Sequence, residues 1–271
     1  MNSTPRTYLF VPGDRPERFD KALASGADAV VLDLEDAVAY DDKPRAREAV
    51  AQRLQAATAD GRTRLVVRIN DASTAEFDVD LAMLAACNAA FVMLPKAERP
   101  ATVAQVRAAC PGMAVLALIE TARGVLNAEA LAEAEGVQRL VFGTIDFALD
   151  LGLSGDPLGL DFAASRLALA SRAAGLDAPV AGVTPDITDP APLLADLQRA
   201  LAHGYTAKLC IHPKQVTLIH TALQPSSAEL DWAQRVLSAA QGAAGAVQVD
   251  GRMVDKPVLQ RAQALLRRAA R

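Results

Sequence analysis

The stretch AVLALIETARGVLNAEALAEAEGVQRLVFGTID, residues 114–146, decides the fold. An aliphatic run closes on a carboxylate, Glu120. The alanine-rich helical pattern GVLNAEALAEA follows, and a second aliphatic run, RLVFGTID, closes on Asp146. A strand, a helix and a strand in that order imply parallel pairing through a right-handed crossover. An unpaired buried carboxylate is costly, so each acid must reach the solvent end of its strand or hold a cation.

The same unit recurs along the chain. Strand-like runs read YLFVP (8–12), AVVLDLE (29–35), RLVVRIN (64–70), FVMLPK (91–96), AVLALIE (114–120), RLVFGTID (139–146), APVAGV (178–183) and AKLCIH (207–212). Segments of helical spacing separate them, among them KPRAREAVAQRLQAA, EFDVDLAMLAA, PATVAQVRAA and DPAPLLADLQRALAHG. Continuous apolar strands suit a sheet covered on both faces. Eight alternations favour an α/β fold of the closed (β/α)8 TIM-barrel type over an open doubly wound sheet, with the barrel over residues 1–225. From Ser226 the pattern changes to a helix, the Gly/Ala-rich GAAGAV, the stretch VQVDGRMVDKP and a last amphipathic helix. This C-terminal helical extension, 226–271, is expected to pack on, or reach over, a neighbouring subunit.

Composition narrows the function. The 271 residues are 51% hydrophobic, enough for a sizeable core, and the formal net charge of −4 leaves no broad basic face for nucleic acid. No apolar run approaches the ~18–20 residues that cross a bilayer, so a cytoplasmic protein without a membrane span is expected. Cys87, Cys110 and Cys210 are too widely spaced for a CxxC site and read as buried free thiols.

In such a barrel the C-terminal strand ends face one mouth, where the loops build the active site. Those ends collect Asp14-Arg15, Asp33-Leu34-Glu35-Asp36, Arg68-Ile69-Asn70, Lys96, Glu120, Asp146 and His212. Neighbouring strands lie about 4.8 Å apart, so Glu120 and Asp146 at corresponding heights can share one ion. Two carboxylates completed by waters and substrate oxygens suit Mg²⁺, which takes six oxygen ligands. Zinc is disfavoured, because His203, His212 and His220 form no cluster of ligand spacing. Arg68 is placed to grip a substrate carboxylate or offset a developing oxyanion, with a salt bridge to Glu35 or Asp36 as the rival reading; the two are compatible. Lys96 supports these acids or, as a second reading, forms a Schiff base. Gly124 and Gly143 permit close backbone approach, Gly143 toward substrate, and the helix start after Thr121 offers free N–H groups. Arg6, Arg15, Arg18 and Lys21 form a basic group at the entrance, read as solvated helix charge or, for Arg15 and Lys21, as contacts to a phosphate-bearing carrier arm.

The segments YLFVPGDRPERFDKALASGADAVVLDLEDAV, VRIN, LPKAE, ALIETARGV, FGTIDFALDLG, AKLCIHPKQV and GRMVDKP together resemble the citrate lyase β-subunit-like branch of the HpcH/HpaI aldolase/citrate lyase family, in matching order over nearly the whole chain. The resemblance implies a Mg²⁺-dependent lyase on a (β/α)8 barrel, a homo-oligomer (trimer or hexamer), that splits a 3-hydroxyacyl thioester into a 2-keto acid and an acetyl thioester. Carried over residue by residue, Glu120 and Asp146 look like metal ligands and Arg68 with Glu120 like substrate contacts. Asp255 resembles the acid that a neighbouring subunit's C-terminal segment lays over the mouth, on a GAAGAV hinge; its plainer reading is a helix N-cap before Pro257. The implied catalytic set is therefore Arg68, Glu120 and Asp255, with Asp255 protonating a thioester enolate. Many relatives carry alanine and glutamate before the metal-binding aspartate, where this chain has Thr144-Ile145. That departure favours a free-standing enzyme for an acyl-CoA thioester of citramalyl or malyl type over a citryl-thioester lyase working with an acyl carrier protein. An aldolase for free 2-keto acids and a non-catalytic metal-binding subunit are the remaining alternatives.

Overall fold

β1 (Thr7–Pro12) pairs in parallel with β2 (Ala29–Asp33) on one side and with β8 (Ala207–Cys210) on the other. The second pairing closes a sheet in which β3 (Leu65–Arg68), β4 (Phe91–Leu94), β5 (Ala114–Ile119), β6 (Val137–Phe142) and β7 (Val180–Ala181) follow in sequence order. The computed structural model describes residues 4–241 and 247–269, and shows the expected (β/α)8 barrel. No helix among the described residues is long and apolar enough to cross a membrane, and all three cysteines are free and buried.

Strand side chains alternate in direction, and that period fills the barrel. Tyr8, Ala29, Val31, Val66, Met93, Leu116, Leu118, Val141, Val180, Ala207 and Leu209 form its central cluster, with Phe10 and Phe91 packed against it. Continuing the same alternation one step toward the C-terminal rim passes from Val31 to Asp33, from Val66 to Arg68, from Leu118 to Glu120 and from Val141 to Gly143. The core pattern thus delivers three charged side chains to one mouth. At the opposite end Arg139, 2% exposed, is tied to the carbonyls of Pro5 and Ala178 and the hydroxyls of Tyr8 and Thr206.

Three expectations need correction. The sixth strand ends at Phe142, and residues expected to continue it form the helix Thr144–Leu151, closed by Gly152 in the left-handed region at φ 64°. Its FALDLG segment has helical spacing and a C-terminal glycine, a signal that outweighs the aliphatic run before it. The helix read through GVLNAEALAEA is two short ones, Ala122–Leu126 and Ala128–Ala132. β7 keeps only two residues of ladder.

The chain divides into two compact units, residues 1–219 and 220–271. In the second, the helices Ser227–Gln241 and Lys256–Ala269 flank an antiparallel hairpin of β9 (Val247–Val249) and β10 (Arg252–Val254). Asp250 and Gly251, both at positive φ (52° and 74°), make its two-residue turn. Ala233, Val236, Ala262 and Leu265 form this unit's core, and Arg261 lies over the Trp232 ring at 5.3 Å.

Candidate active site at the C-terminal mouth of the barrel

Arg68 closes β3 beneath the mouth and is gripped by acids from the end of β2 and the loop that follows it. Its Nε and Nη2 each donate to one oxygen of Asp33 at 2.7 Å, a bidentate pair, and its Nη1 lies 3.3 Å from Asp36. Glu35 Oε2 sits 3.0 Å from Nη1, but at an angle that leaves this buried oxygen without a hydrogen bond. The guanidinium also stacks on Phe10, 4.9 Å from the ring centre. Burial works against the Arg68 charge; Asp33, then Glu35 and Asp36, outweigh it and hold its pKa above the ordinary value. The rival salt-bridge reading of Arg68 is therefore present, with Asp33 as the main partner ahead of Glu35 and Asp36.

Glu120 follows β5 directly and is 2% exposed. Its Oε1 accepts the backbone amide of Lys96 at 2.8 Å. Lys96 adopts φ 44°, a strained conformation for a side-chain-bearing residue of the kind that functional sites retain. Burial pushes the Glu120 carboxyl up to about 8, with Glu35 and Asp146 adding to the rise and the Lys96 amide and Arg68 opposing it. Glu35 rises to about 7, chiefly through burial. Lys96 Nζ lies 3.4 Å from Glu35 and 3.3 Å from Asp71; burial opposes its charge, but these acids hold its pKa above the usual value, which suits a pairing cation and not a Schiff-base nucleophile.

Asp146 does not end a strand. It occupies the first turn of the helix Thr144–Leu151, one turn beyond Gly143, whose amide bonds the Ile119 carbonyl at 2.9 Å. Even so, Glu120, Asp146, Arg68, Asp33 and Asp36 line one cavity of about 380 Å³, with Gly143 and Thr144 between them. Phe10, Leu118, Ile145, Val183, Leu209 and Ile211 form its apolar wall. A buried carboxylate crowded by like charge, beside the half-buried Asp146, fits a hard divalent cation such as Mg²⁺, and the missing side chain at Gly143 leaves Glu120 Oε2 its room. A larger cavity of about 740 Å³ lies at the other end of the barrel around Tyr8, Arg64 and Arg139, where the arginine is already committed to protein oxygens.

Other candidates fall elsewhere. Arg6 precedes β1 at the N-terminal end, 4.0 Å from Asp28, and does not belong to an entrance group. Arg15 is exposed and 3.6 Å from Asp14; Lys21 is exposed on the helix Phe19–Leu23; neither lines the mouth cavity. The helix start after Thr121 is already served: Gly124 N bonds Thr121 Oγ1, and Ala122 N bonds Asp150. Asp255 caps the last helix through Val258 N at 3.0 Å, within the second unit. Residues 242–246 of the GAAGAV hinge lie outside the described residues.

Lys43 and Asn70 complete the site from behind, and the sequence carries no local signal of their pairing. Buried Lys43 donates to the carbonyls of Leu34 (2.8 Å) and Glu35 (3.1 Å) and to Asn70 Oδ1. Asn70 in turn donates to Asp80 from its backbone and its side chain. A lysine just inside a helix and eight residues past a strand-end Glu reads as surface charge, so only the fold reveals this strut.

A family model described as HpcH/HpaI aldolase/citrate lyase matches residues 6–213, and one described as C-C bond lyase of the TIM-barrel fold matches residues 173–271. The chain is 42% identical over 272 residues to a citrate lyase subunit beta-like protein of Mycobacterium tuberculosis, covering 97% of this chain and 94% of that protein. It is 34% identical over 256 residues to a (3S)-malyl-CoA thioesterase of Cereibacter sphaeroides, covering 92% and 89%. Among solved structures, protein CitE from Mycobacterium tuberculosis in complex with magnesium, acetoacetate and coenzyme A superposes with a TM-score of 0.90 at 38% identity, over 100% of both chains.

Proposed function

The chain belongs to the HpcH/HpaI aldolase/citrate lyase family, and from that membership and the acidic mouth we propose that it is a Mg²⁺-dependent carbon–carbon lyase that splits a 3-hydroxyacyl-CoA thioester into a 2-keto acid and acetyl-CoA. The observation that carries this reading is the convergence of Glu120, Asp146 and clamped Arg68 on one small cavity. The magnesium-, acetoacetate- and coenzyme A-bound relative supports it.

Glu120 and Asp146 hold the metal. When bound there, Mg²⁺ would supply Lewis-acid chemistry to the hydroxyl and carboxylate oxygens of the substrate. Arg68, fixed by Asp33, offsets negative charge at the substrate carboxylate; rigid fixation by the acids spares reorganisation during the reaction. The hydroxyl proton leaves to a base of the mouth, the carbon–carbon bond breaks, and the enolate of the acetyl thioester takes a proton at carbon. Asp255 of a neighbouring copy is our assignment for that acid, in a trimer or hexamer whose C-terminal unit covers the mouth and excludes water. Arg15 and Lys21 meet the phosphates of the coenzyme or of a carrier arm. The free, buried cysteines suit a reducing cytoplasm.

The wall points to the substrate. Citryl thioesters carry a second carboxymethyl arm on the carbinol carbon, and the mouth offers it apolar side chains and one arginine already shared by three acids. A hydrogen or a methyl fits such a wall without burying an unpaired charge. This wall supports a substrate of malyl or citramalyl type.

The test is incubation of the protein and MgCl₂ with malyl-CoA, citramalyl-CoA and citryl-CoA. Glyoxylate or pyruvate release with acetyl-CoA supports the reading. Release of the free hydroxy acid with coenzyme A identifies a thioesterase instead, and oxaloacetate from citryl-CoA alone overturns the substrate assignment.

A further inference from the structure

β7 is the weak stave of the barrel. It pairs with β6 only at Val180 and with β8 only through Val180 and Ala181, so the backbone ladder is two residues long and ends at Ala181, level with Phe142 at the end of β6. Yet the segment that continues it, 182–186, supplies Val183 to the apolar wall. Two side chains from the next βα unit take over where the ladder ends. Lys208 of β8 donates from Nζ to the Gly182 carbonyl at 2.6 Å. Gln215 of the helix Pro213–Leu223 donates from Nε2 to the carbonyls of Thr184 (2.9 Å) and Asp186 (3.3 Å), while its Oε1 accepts Ile211 N at 2.9 Å. Carbonyls 182, 184 and 186 are alternate ones, the set that a neighbouring strand would otherwise engage. Both side chains are 2% exposed, and so is Thr184, whose hydroxyl donates to Asp196.

From the other side the segment cannot retreat. A Cβ at Gly182 would come within 2.8 Å of the Phe142 carbonyl and would strike the Thr144 side chain, so the backbone there already rests against the start of the helix that carries Ile145 and Asp146. Gln215 therefore ties Val183, through its neighbour Thr184, to Ile211, and both apolar side chains line the mouth cavity.

We propose that Lys208 and Gln215 are positioning residues that hold the segment beyond the two-residue ladder of β7, fix the separation of Val183 and Ile211, and so limit the size of the substituent accepted beside the metal site. The size limit rests on the lyase reading above; the clamp itself does not. Removing either donor leaves a buried carbonyl unpaired, and the segment moves to recover a partner.

The experiment uses the full chain and the variants Lys208→Met, Lys208→Arg, Gln215→Leu and Gln215→Glu. Each Mg²⁺-loaded protein is titrated calorimetrically with pyruvate and with 2-oxobutyrate, and amide exchange is followed over residues 182–189 and at Ile211. The wild type is expected to favour pyruvate by about tenfold, a discrimination typical of one methylene. Gln215→Leu brings that ratio toward one and speeds exchange in both regions, with Mg²⁺ affinity within twofold of wild type. Gln215→Glu keeps the acceptor for Ile211 N, so Ile211 stays protected while 182–189 opens. Lys208→Met loosens 182–189, and Lys208→Arg, which retains a donor, preserves the wild-type ratio. The proposal is overturned if folded variants keep the pyruvate preference, or if exchange rises evenly around the barrel as a general loss of stability would produce. A wild type that binds neither keto acid removes the lyase reading, and the exchange pattern alone then confirms or refutes the clamp.

Discussion

Gly143 stands so close to Glu120 that a Cβ added at position 143 would lie 2.5 Å from Glu120 Oε2 and 2.6 Å from its Cβ. The backbone just beyond β6 thereby makes the space that the Glu120 carboxylate occupies. Gly143→Ala must displace that carboxylate, at a cost of about 1–3 kcal/mol of overpacking. The expected result is at least about a tenfold loss of Mg²⁺ affinity by calorimetry in a protein that still folds. Unchanged affinity would show that Glu120 is not held by this contact.

Asp33 and Arg68 form the bidentate pair at the centre of the mouth, both largely buried. Asp33→Asn keeps one acceptor oxygen and leaves the flanking Glu35 and Asp36 as the charge partners of Arg68, and is expected to destabilise the protein by about 1–3 kcal/mol. Arg68→Lys retains charge but loses the fork, so kcat should fall well beyond the change in Tm. Thermal melts and kinetics on the two variants separate these effects.

The acidic site also predicts a pH signature. Glu120 at about 8 and Glu35 at about 7 both lie above their usual value of 4.5. A carboxyl with a raised folded-state pKa binds its proton more tightly in the native protein, so stability falls as pH rises from about 4.5 toward 8 and is level above that. Without Mg²⁺, Tm should therefore decline over this window. In the proposed site the metal would compete with the proton at Glu120, so the Tm increase on adding MgCl₂ should grow between pH 6 and 8.5. Glu120→Gln should abolish that growth; an increase independent of pH would contradict it.

Asp255 has a visible structural task as a helix cap, and capping can be separated from acid chemistry. Asparagine caps about as well as aspartate. Asp255→Asn should leave Tm nearly unchanged while lowering turnover by at least about a hundredfold, the scale of general acid catalysis. Normal turnover would reduce Asp255 to a cap.

The barrel was legible because its strands are continuous aliphatic runs separated by helical spacing, and the mouth because charges recur where those runs stop. Asp33, Arg68 and Glu120 share the inward period of the core residues before them, so their convergence follows from counting by twos. Asp146 was harder to place: the run VFGTID hides a turn at Gly143, and only the following FALDLG signals a helix. The Asp250-Gly251 turn carries a hairpin signature within VQVDGRMVDKP, a stretch too short for its strands to stand out from the flanking helical pattern. Lys43, Lys208 and Gln215 gave no local signal, because each is defined by carbonyls that are distant or in loops, and a sequence does not show which carbonyls lack a strand partner.

The central claim is a divalent ion held jointly by Glu120 and Asp146. Crystals soaked in MnCl₂, measured at the manganese absorption edge, test it most directly. One anomalous peak within about 2.0–2.3 Å of oxygens from both side chains, lost in Asp146→Asn, is the predicted result. A peak elsewhere, or none at a manganese concentration that saturates binding in solution, would contradict the account.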